Sequence, residues 1–255
     1  IIWIFATVEN AWLWAWLSFT GFQLLMTYLA PSVILPLFNK FEPMEDGELK
    51  SSIQEMAKKC DFPLTEIHVM DGSKRSTKSN AFFTGFGKHK KIALFDTLID
   101  NHSNEELLAV LAHEVGHFKK KHIIQRMAFS IIQTAVIFFL LGMVTNKESD
   151  FARGLFDAFG VSDISTYAGL VFFMLLFSPV SKILSIVGNV MSRKHEFEAD
   201  AYAAEIQETP EHLITGLKKL SADNLSNLTP HPLPVFLDYS HPPTLTRIKA
   251  LKALR

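Results

Sequence analysis

Cys60 is the single cysteine in 255 residues, so no disulfide can form within the chain, and a lone thiol fits a reducing compartment. Neither sign of charge is in excess. Lys and Arg number 25 against 26 Asp and Glu, for a net charge of -1, and there is none of the clustered basic surface that nucleic-acid binding needs. Internal repeats and low-complexity tracts are absent. The chain also lacks a methionine at Ile1, and neither a basic region nor a small-residue cleavage site marks its start as a signal peptide. Residues 1 to 8 therefore read as the tail of an earlier membrane span, and the chain as a fragment or processed form.

The most informative absence is local. No charged residue lies between Glu9 and Lys40, none between Arg126 and Lys147, and none between Asp163 and Lys182, after which the apolar run resumes to Ser192. A helix needs roughly 20 apolar residues to cross a bilayer, so these runs predict three full membrane spans after the amino-terminal stub. Pro179 and Lys182 should kink the third span or face a polar interior, because a charge facing lipid costs several kcal/mol. The segments "FKKKHIIQR" before the second span and "SRKHE" after the third are basic, whereas the link from 147 to 163 has two basic and four acidic residues. By the positive-inside tendency, the basic ends face the cytoplasm.

After the first span, patterning predicts a polar region of helices and short strands. Turns at Pro43 and Asp46-Gly47 precede an amphipathic helix with Leu49, Ile53 and Met56 at helical spacing. "EIHVMDG" and two strands around the turn "GKHKK" predict a small antiparallel sheet from 65 to about 96. Ser103 and Glu106 form a capping box ahead of "LLAVLAHEVGH". With no proline and no glycine but Gly116 before Leu141, one uninterrupted helix is expected from there into the second span. A helix continuing from the third span should end near Thr209-Pro210, a short one should run from about Glu211 to Leu220, and the tail reads as an irregular proline-rich loop before a final basic amphipathic helix.

Two histidines four apart lie on one helical face, so His113 and His117 can address one metal ion, and Glu114 beside them can take a proton from water. Catalytic zinc usually has three protein ligands and one open position. "HEFEAD" offers Glu196 and Asp200, also four apart, among small alanines that let another helix come close. If the second and third spans form an antiparallel pair, His117 and Glu196 lie about 15 Å and about 6 Å from the apolar boundary, at 1.5 Å per helical residue. Glu196 is thus the expected third ligand, and Asp200 the carboxylate that orients a ligating histidine. His122 and His195 read as helix surface or as support behind the ligands.

Five blocks in order, "DGSKRSTKSNAFFTGF", "IALFDTLI", "LLAVLAHEVGHFKKKH", "SRKHEFEADAYA" and "YSHPPTLTRIKAL", resemble the integral-membrane zinc endopeptidases of the type I CAAX prenyl protease family. The resemblance covers nearly the whole chain. It implies a mainly α, polytopic membrane protein whose transmembrane helices surround a chamber, with a zincin-like catalytic domain containing the small antiparallel β-sheet. It implies one Zn2+ per chain on His113, His117 and Glu196, Glu114 as base, Asp200 in support and His241 steadying the oxyanion. It further implies an edge strand that pairs with extended substrate around Asn80, Ala81 and Phe82, with Arg247 also placed among the substrate-binding residues.

The expected divisions are a membrane region over 1–40, a catalytic region over 41–126, a transmembrane hairpin over 127–192 and a second catalytic region over 193–255. The implied partners are a peptide or protein substrate, farnesylated where the substrate is a CAAX protein, and the lipid bilayer, with no nucleic acid. The implied place is an integral membrane position with its catalytic side toward the cytoplasm, in the endoplasmic reticulum of a eukaryote or the inner membrane of a bacterium. Two other readings share some of these features: a membrane quality-control metalloprotease, and a non-catalytic scaffold with structural zinc.

Overall fold

Charge-free runs and helix caps lay out the secondary structure. The computed structural model describes residues 2–74, 79–84 and 90–254. In chain order its helices are α1 (Ile2–Thr7), α2 (Ala11–Leu29), α3 (Leu35–Phe38), α4 (Glu48–Lys59), α5 (Asp96–Asn101) and α6 (Asn104–Lys119). They continue with α7 (His122–Thr145), α8 (Asp150–Ala158), α9 (Thr166–Gln207), α10 (Glu211–Asp223), α11 (Pro232–Asp238) and α12 (Thr244–Lys252). The strands are β1 (Phe41–Pro43), β2 (Leu64–Met70), β3 (Ala81–Thr84) and β4 (Lys90–Phe95).

Among the described residues, three helical stretches are long and apolar enough to span a membrane: Ala11–Phe38, His122–Thr145 and Thr166–Gln207. In the first, a π-helical turn at Ala30–Ile34 carries the chain past Pro31 and joins α2 to α3. Pro179 lies inside α9 without ending it.

The chain divides into two compact units, one of Ile1–Thr27 with Ile124–Gly188 and one of Tyr28–Ile123 with Asn189–Arg255. In the first, Ala15, Phe138 and Leu141 form a small core with Trp12 and Trp16, and the Trp16 indole N–H donates to the Ile131 carbonyl at 3.1 Å. Phe22, Ile132 and Met174 are exposed, as side chains meant for lipid rather than water would be.

The second unit holds the main core, in which Ile53, Ile92, Leu94, Leu98, Leu107 and Leu111 are fully buried. Its sheet has the order β1-β2-β4-β3. The expectation of an all-antiparallel sheet is corrected here: β2 and β4 run parallel, with Ile67 opposite Ile92, while β1 on β2 and β3 on β4 are antiparallel. Strand β3 does not fold back on β2 but lies one place further out, so β4 returns between them in the direction of β2. Strand β4 accordingly buries Ile92, Ala93 and Leu94 in succession, as a central strand covered on both faces does. The turn predicted at "GKHKK" lies largely outside the described residues.

The capping box at the start of α6 forms as the spacing predicts, with the Ser103 N–H donating to Glu106 Oε2 at 2.9 Å and the Glu106 N–H to Ser103 Oγ at 3.3 Å. The single long helix expected beyond it does not. Helix α6 ends at Lys119, and α7 begins at His122, with Lys121 in the left-handed region at φ 58°. The Lys120 N–H donates to the Gly116 carbonyl at 2.9 Å and the Lys121 N–H to the Phe118 carbonyl at 3.0 Å, closing the last turn. Lysines favour the negative end of a helix, and Lys119 Nζ also donates to the Asp61 carbonyl at 2.9 Å, so tertiary anchoring offsets the cost of about 1 kcal/mol for left-handed backbone.

The proline-rich tail is likewise not all irregular, because α11 forms within it. Pro232 takes the first helical position, where no N–H is needed, and the His231 ring accepts from the Leu233 N–H at 3.2 Å.

Helices α6 and α9 approach closely at Gly116. A Cβ there would lie 3.1 Å from Ala199 Cα and 3.2 Å from the Ala199 carbonyl oxygen, so backbone meets backbone with no room for a larger side chain. Gly116→Leu should therefore destabilise the fold by about 1–3 kcal/mol, the usual cost of overpacking, despite leucine's better helix propensity. Thermal unfolding in detergent measures this, and an unchanged midpoint would contradict the close packing.

Candidate metal centre

Helix α6 places His113 and His117 one turn apart, with their Nε2 atoms 3.2 Å from each other. Helix α9 crosses at Gly116 and brings in the third donor. Glu196 Oε2 lies 3.6 Å from His113 Nε2, and Glu196 Oε1 lies 3.4 Å from His117 Nε2. A tetrahedral ion with bonds of about 2.0–2.1 Å has ligand-to-ligand edges of about 3.3 Å. The two imidazole nitrogens stand at about that separation, and each has a different oxygen of the Glu196 carboxylate within 3.6 Å. Among the described residues, His113, His117 and Glu196 are the group whose ligand atoms could hold a metal ion, so the residues fit a three-ligand centre.

Behind the ligands the acids and bases are paired. His113 Nδ1 lies 2.9 Å from Asp200 Oδ1. Arg247, from α12, grips Asp200 with two bonds, Nε to Oδ2 at 2.8 Å and Nη2 to Oδ1 at 2.6 Å, and its Nη1 lies 3.4 Å from Glu196 Oε2. The side chains of Glu196 and Asp200 are each 3% exposed and that of Arg247 12%. Two carboxylates against one guanidinium leave a buried surplus of negative charge, which favours a cation. Its effect shows on His113: burial would push the imidazolium down, but hydrogen bonds to Asp200 and Glu196 raise it to about 9.

Glu114 is half-buried on the same helix, and its charge acts on Arg247. His241 has a 61% exposed side chain, and its Nε2 lies 3.5 Å from Glu196 Oε1 while its Nδ1 meets Ser240 Oγ at 3.0 Å. The structure thus brings His113, His117, Glu196, Asp200, His241 and Arg247 into one cluster. Arg247, expected among the substrate-binding residues, is largely buried and directs three of its nitrogens to acids within the protein.

Asn80, Ala81 and Phe82 stand at the start of the edge strand β3, which packs against α6. The Asn80 carbonyl accepts from the Phe95 N–H at 3.0 Å, so pairing with β4 occupies one edge of this segment. His122 and His195 are not on the helix surface, since both are buried, and their rings stack with centroids 4.0 Å apart. Glu198, 2.9 Å from His122, was not legible as a site residue because it faces away from the Glu196–Asp200 side of α9.

Helix α6 thus carries two histidines and a glutamate, and α9 brings a second glutamate to the histidines. Residues 43–255 match peptidase family M48, and the chain belongs to that family. Residues 1–40 match a second family described as "CAAX prenyl protease N-terminal, five membrane helices". The human CAAX prenyl protease 1 homolog is 36% identical over 282 residues, covering 95% of this chain and 58% of the human protein. CAAX prenyl protease 1 of Saccharomyces cerevisiae is 40% identical over 240 residues, covering 90% of this chain and 53% of the yeast protein. The chain therefore spans a little over half the length of these relatives. The crystal structure of S. mikatae Ste24p superposes with a TM-score of 0.85 at 35% identity, covering 98% of this chain and 61% of that one.

The buried Asp200–Arg247 pair generates a stability prediction. Arg247→Met leaves Asp200 and Glu196 buried without their cation and should cost about 3–5 kcal/mol. Arg247→Lys should recover only part of that, since one ammonium cannot make the two-bond grip on Asp200. Chemical denaturation of the three proteins gives the comparison, and equal stability of the Met variant and the parent would refute it.

Proposed function

We propose that this chain carries the centre of a membrane zinc metalloendopeptidase that cleaves peptide bonds near the carboxyl terminus of prenylated CAAX-type substrates. The observation that carries this reading is the close spacing of His113, His117 and Glu196, which among the described residues supplies three donors and leaves a fourth position for water. That spacing favours a catalytic centre over a structural zinc, which would need a fourth protein ligand. The zinc, when bound, supplies Lewis acidity for the scissile carbonyl and lowers the pKa of the attacking water.

The chain's own residues do the rest. Glu114 takes the proton from the attacking water and returns it to the leaving amine. His241, exposed beside Glu196, donates to the oxyanion as the carbonyl becomes tetrahedral. Strand β3 is the outermost strand among the described residues, and such an edge offers main-chain hydrogen bonds to an extended peptide near Asn80, Ala81 and Phe82, a mode of binding that reads little side-chain sequence. Asp200 holds His113, and Arg247 holds Asp200, so Arg247 belongs to the positioning of the centre rather than to the peptide. The relatives named CAAX prenyl protease support the substrate class. The basic residues 119–121, Arg126, Arg193 and Lys194 support an orientation with this centre on the cytoplasmic side, in the endoplasmic reticulum for a eukaryotic protein.

The test is zinc content with cleavage of a farnesylated CAAX peptide. The wild-type protein should hold one zinc per chain and lose cleavage on chelation. Glu114→Gln should keep the zinc and lower kcat by about 10²–10⁴-fold. Cleavage at the wild-type rate by that variant would remove Glu114 from the base role, and activity surviving complete zinc removal would sink the metallopeptidase reading.

A further inference from the structure

On an unbroken helix, residues five apart point about 140° away from each other, at 100° per residue. His117 and His122 do not. The corner at Lys120–Lys121, with Lys121 at φ 58°, brings His122 Nδ1 to 2.9 Å from His117 Nδ1. The other nitrogen of the same ring, His122 Nε2, lies 2.9 Å from Glu198 Oε2. The ring of His195 covers one face of the His122 ring at 4.0 Å and 9°, and His122 is 0% exposed. A histidine buried this completely, gripped at both nitrogens and stacked on its face, has one available orientation.

With a metal on the Nε2 atoms of His113 and His117, one placement of the hydrogens fits the contacts shown. A histidine presenting its Nε2 lone pair to a metal carries its hydrogen on Nδ1, and that N–H needs an acceptor. For His113 the acceptor is Asp200. For His117 the neighbouring atom is His122 Nδ1, which accepts only when His122 carries its own hydrogen on Nε2. Glu198 stands there to receive it. The two histidines of the centre are thus each oriented by a carboxylate from α9, one directly and one through an intervening imidazole.

We propose that His122, together with Glu198, is a positioning pair that fixes the tautomer and ring orientation of His117 for metal binding. The proposal rests on the metal-centre reading above. It also gives the broken helix a purpose, since a continuous α6–α7 helix would carry His122 away from His117.

The test measures zinc affinity of the purified protein in detergent by competition with a chromophoric chelator, and the visible absorption of the cobalt(II)-substituted protein. His122→Ala and Glu198→Ala should each weaken zinc binding about 10- to 100-fold and alter the cobalt spectrum. The double variant should bind no more weakly than the weaker single, because both changes cut the same relay. Glu198→Ala combined with Asp200→Asn should instead show the product of the two losses, as the carboxylates serve different histidines. Glu198→Gln, which keeps an acceptor oxygen, should lose less than Glu198→Ala. Should His122→Ala unfold, Glu198→Ala carries the test alone, since Glu198 has a 37% exposed side chain and leaves the histidine stack intact. Affinities within about twofold of wild type for Glu198→Ala, or losses that multiply in the His122–Glu198 double variant, overturn the proposal. A wild-type protein that binds no zinc overturns the metal centre and the relay together, which separates the two failures.

Discussion

Everything at the candidate centre depends on how closely two helices approach. At Gly116 the backbone of α6 comes so near Ala199 of α9 that a Cβ would sit 3.1 Å from the Ala199 Cα. That contact is possible because small residues stand at the crossing. His113 lies one turn to one side of Gly116 and His117 next to it, while Glu196 and Asp200 flank Ala199 on the other helix. At a looser crossing the Glu196 carboxylate could not come within 3.6 Å of His113 and 3.4 Å of His117.

The crossing concentrates charge, and the rest of the second unit manages it. Two carboxylates with 3% exposed side chains would be costly without partners, and α12 supplies Arg247 to hold both. Glu106, besides capping α6, accepts from Lys219 Nζ of α10 at 2.6 Å, which ties the start of the histidine helix to its neighbour. Along "HEFEAD" the three acids point to three partners: Glu196 to both histidines, Glu198 to His122 and Asp200 to His113. A short acidic helical turn is thus divided between ligation and orientation.

Much of the secondary structure was legible because its signals are local. The charge-free runs, the Ser103–Glu106 capping box and the period of α4 act within a few residues, and each matches an observed element. The failures share a cause. The corner at Lys120–Lys121 has no proline or glycine to announce it, and beside it Lys119 donates to the carbonyl of Asp61, 58 positions earlier. The parallel pairing of β2 with β4 follows from β3 lying outside β4, a matter of spatial order that strand-by-strand patterning does not carry. Helix α11 is held against α9 by Arg193 donating to the Val235 carbonyl at 2.9 Å and Asn189 to that of Leu237 at 3.1 Å, contacts between distant residues.

The sequence by itself determined which residues could ligate a metal and which stretches could cross a membrane, because helical periodicity and apolar length are properties of neighbouring residues. It also pointed to the family, through blocks whose order survives without any coordinates. Only the tertiary structure decided that His113, His117 and Glu196 come together within reach of one ion, that Arg247 braces Asp200, and that His122 is buried between His117 and Glu198. The reason is geometric. Where a side chain ends up depends on helix crossings and corners set by residues far away in the chain, and a difference of one ångström at such a crossing separates a binding centre from a charged helix surface.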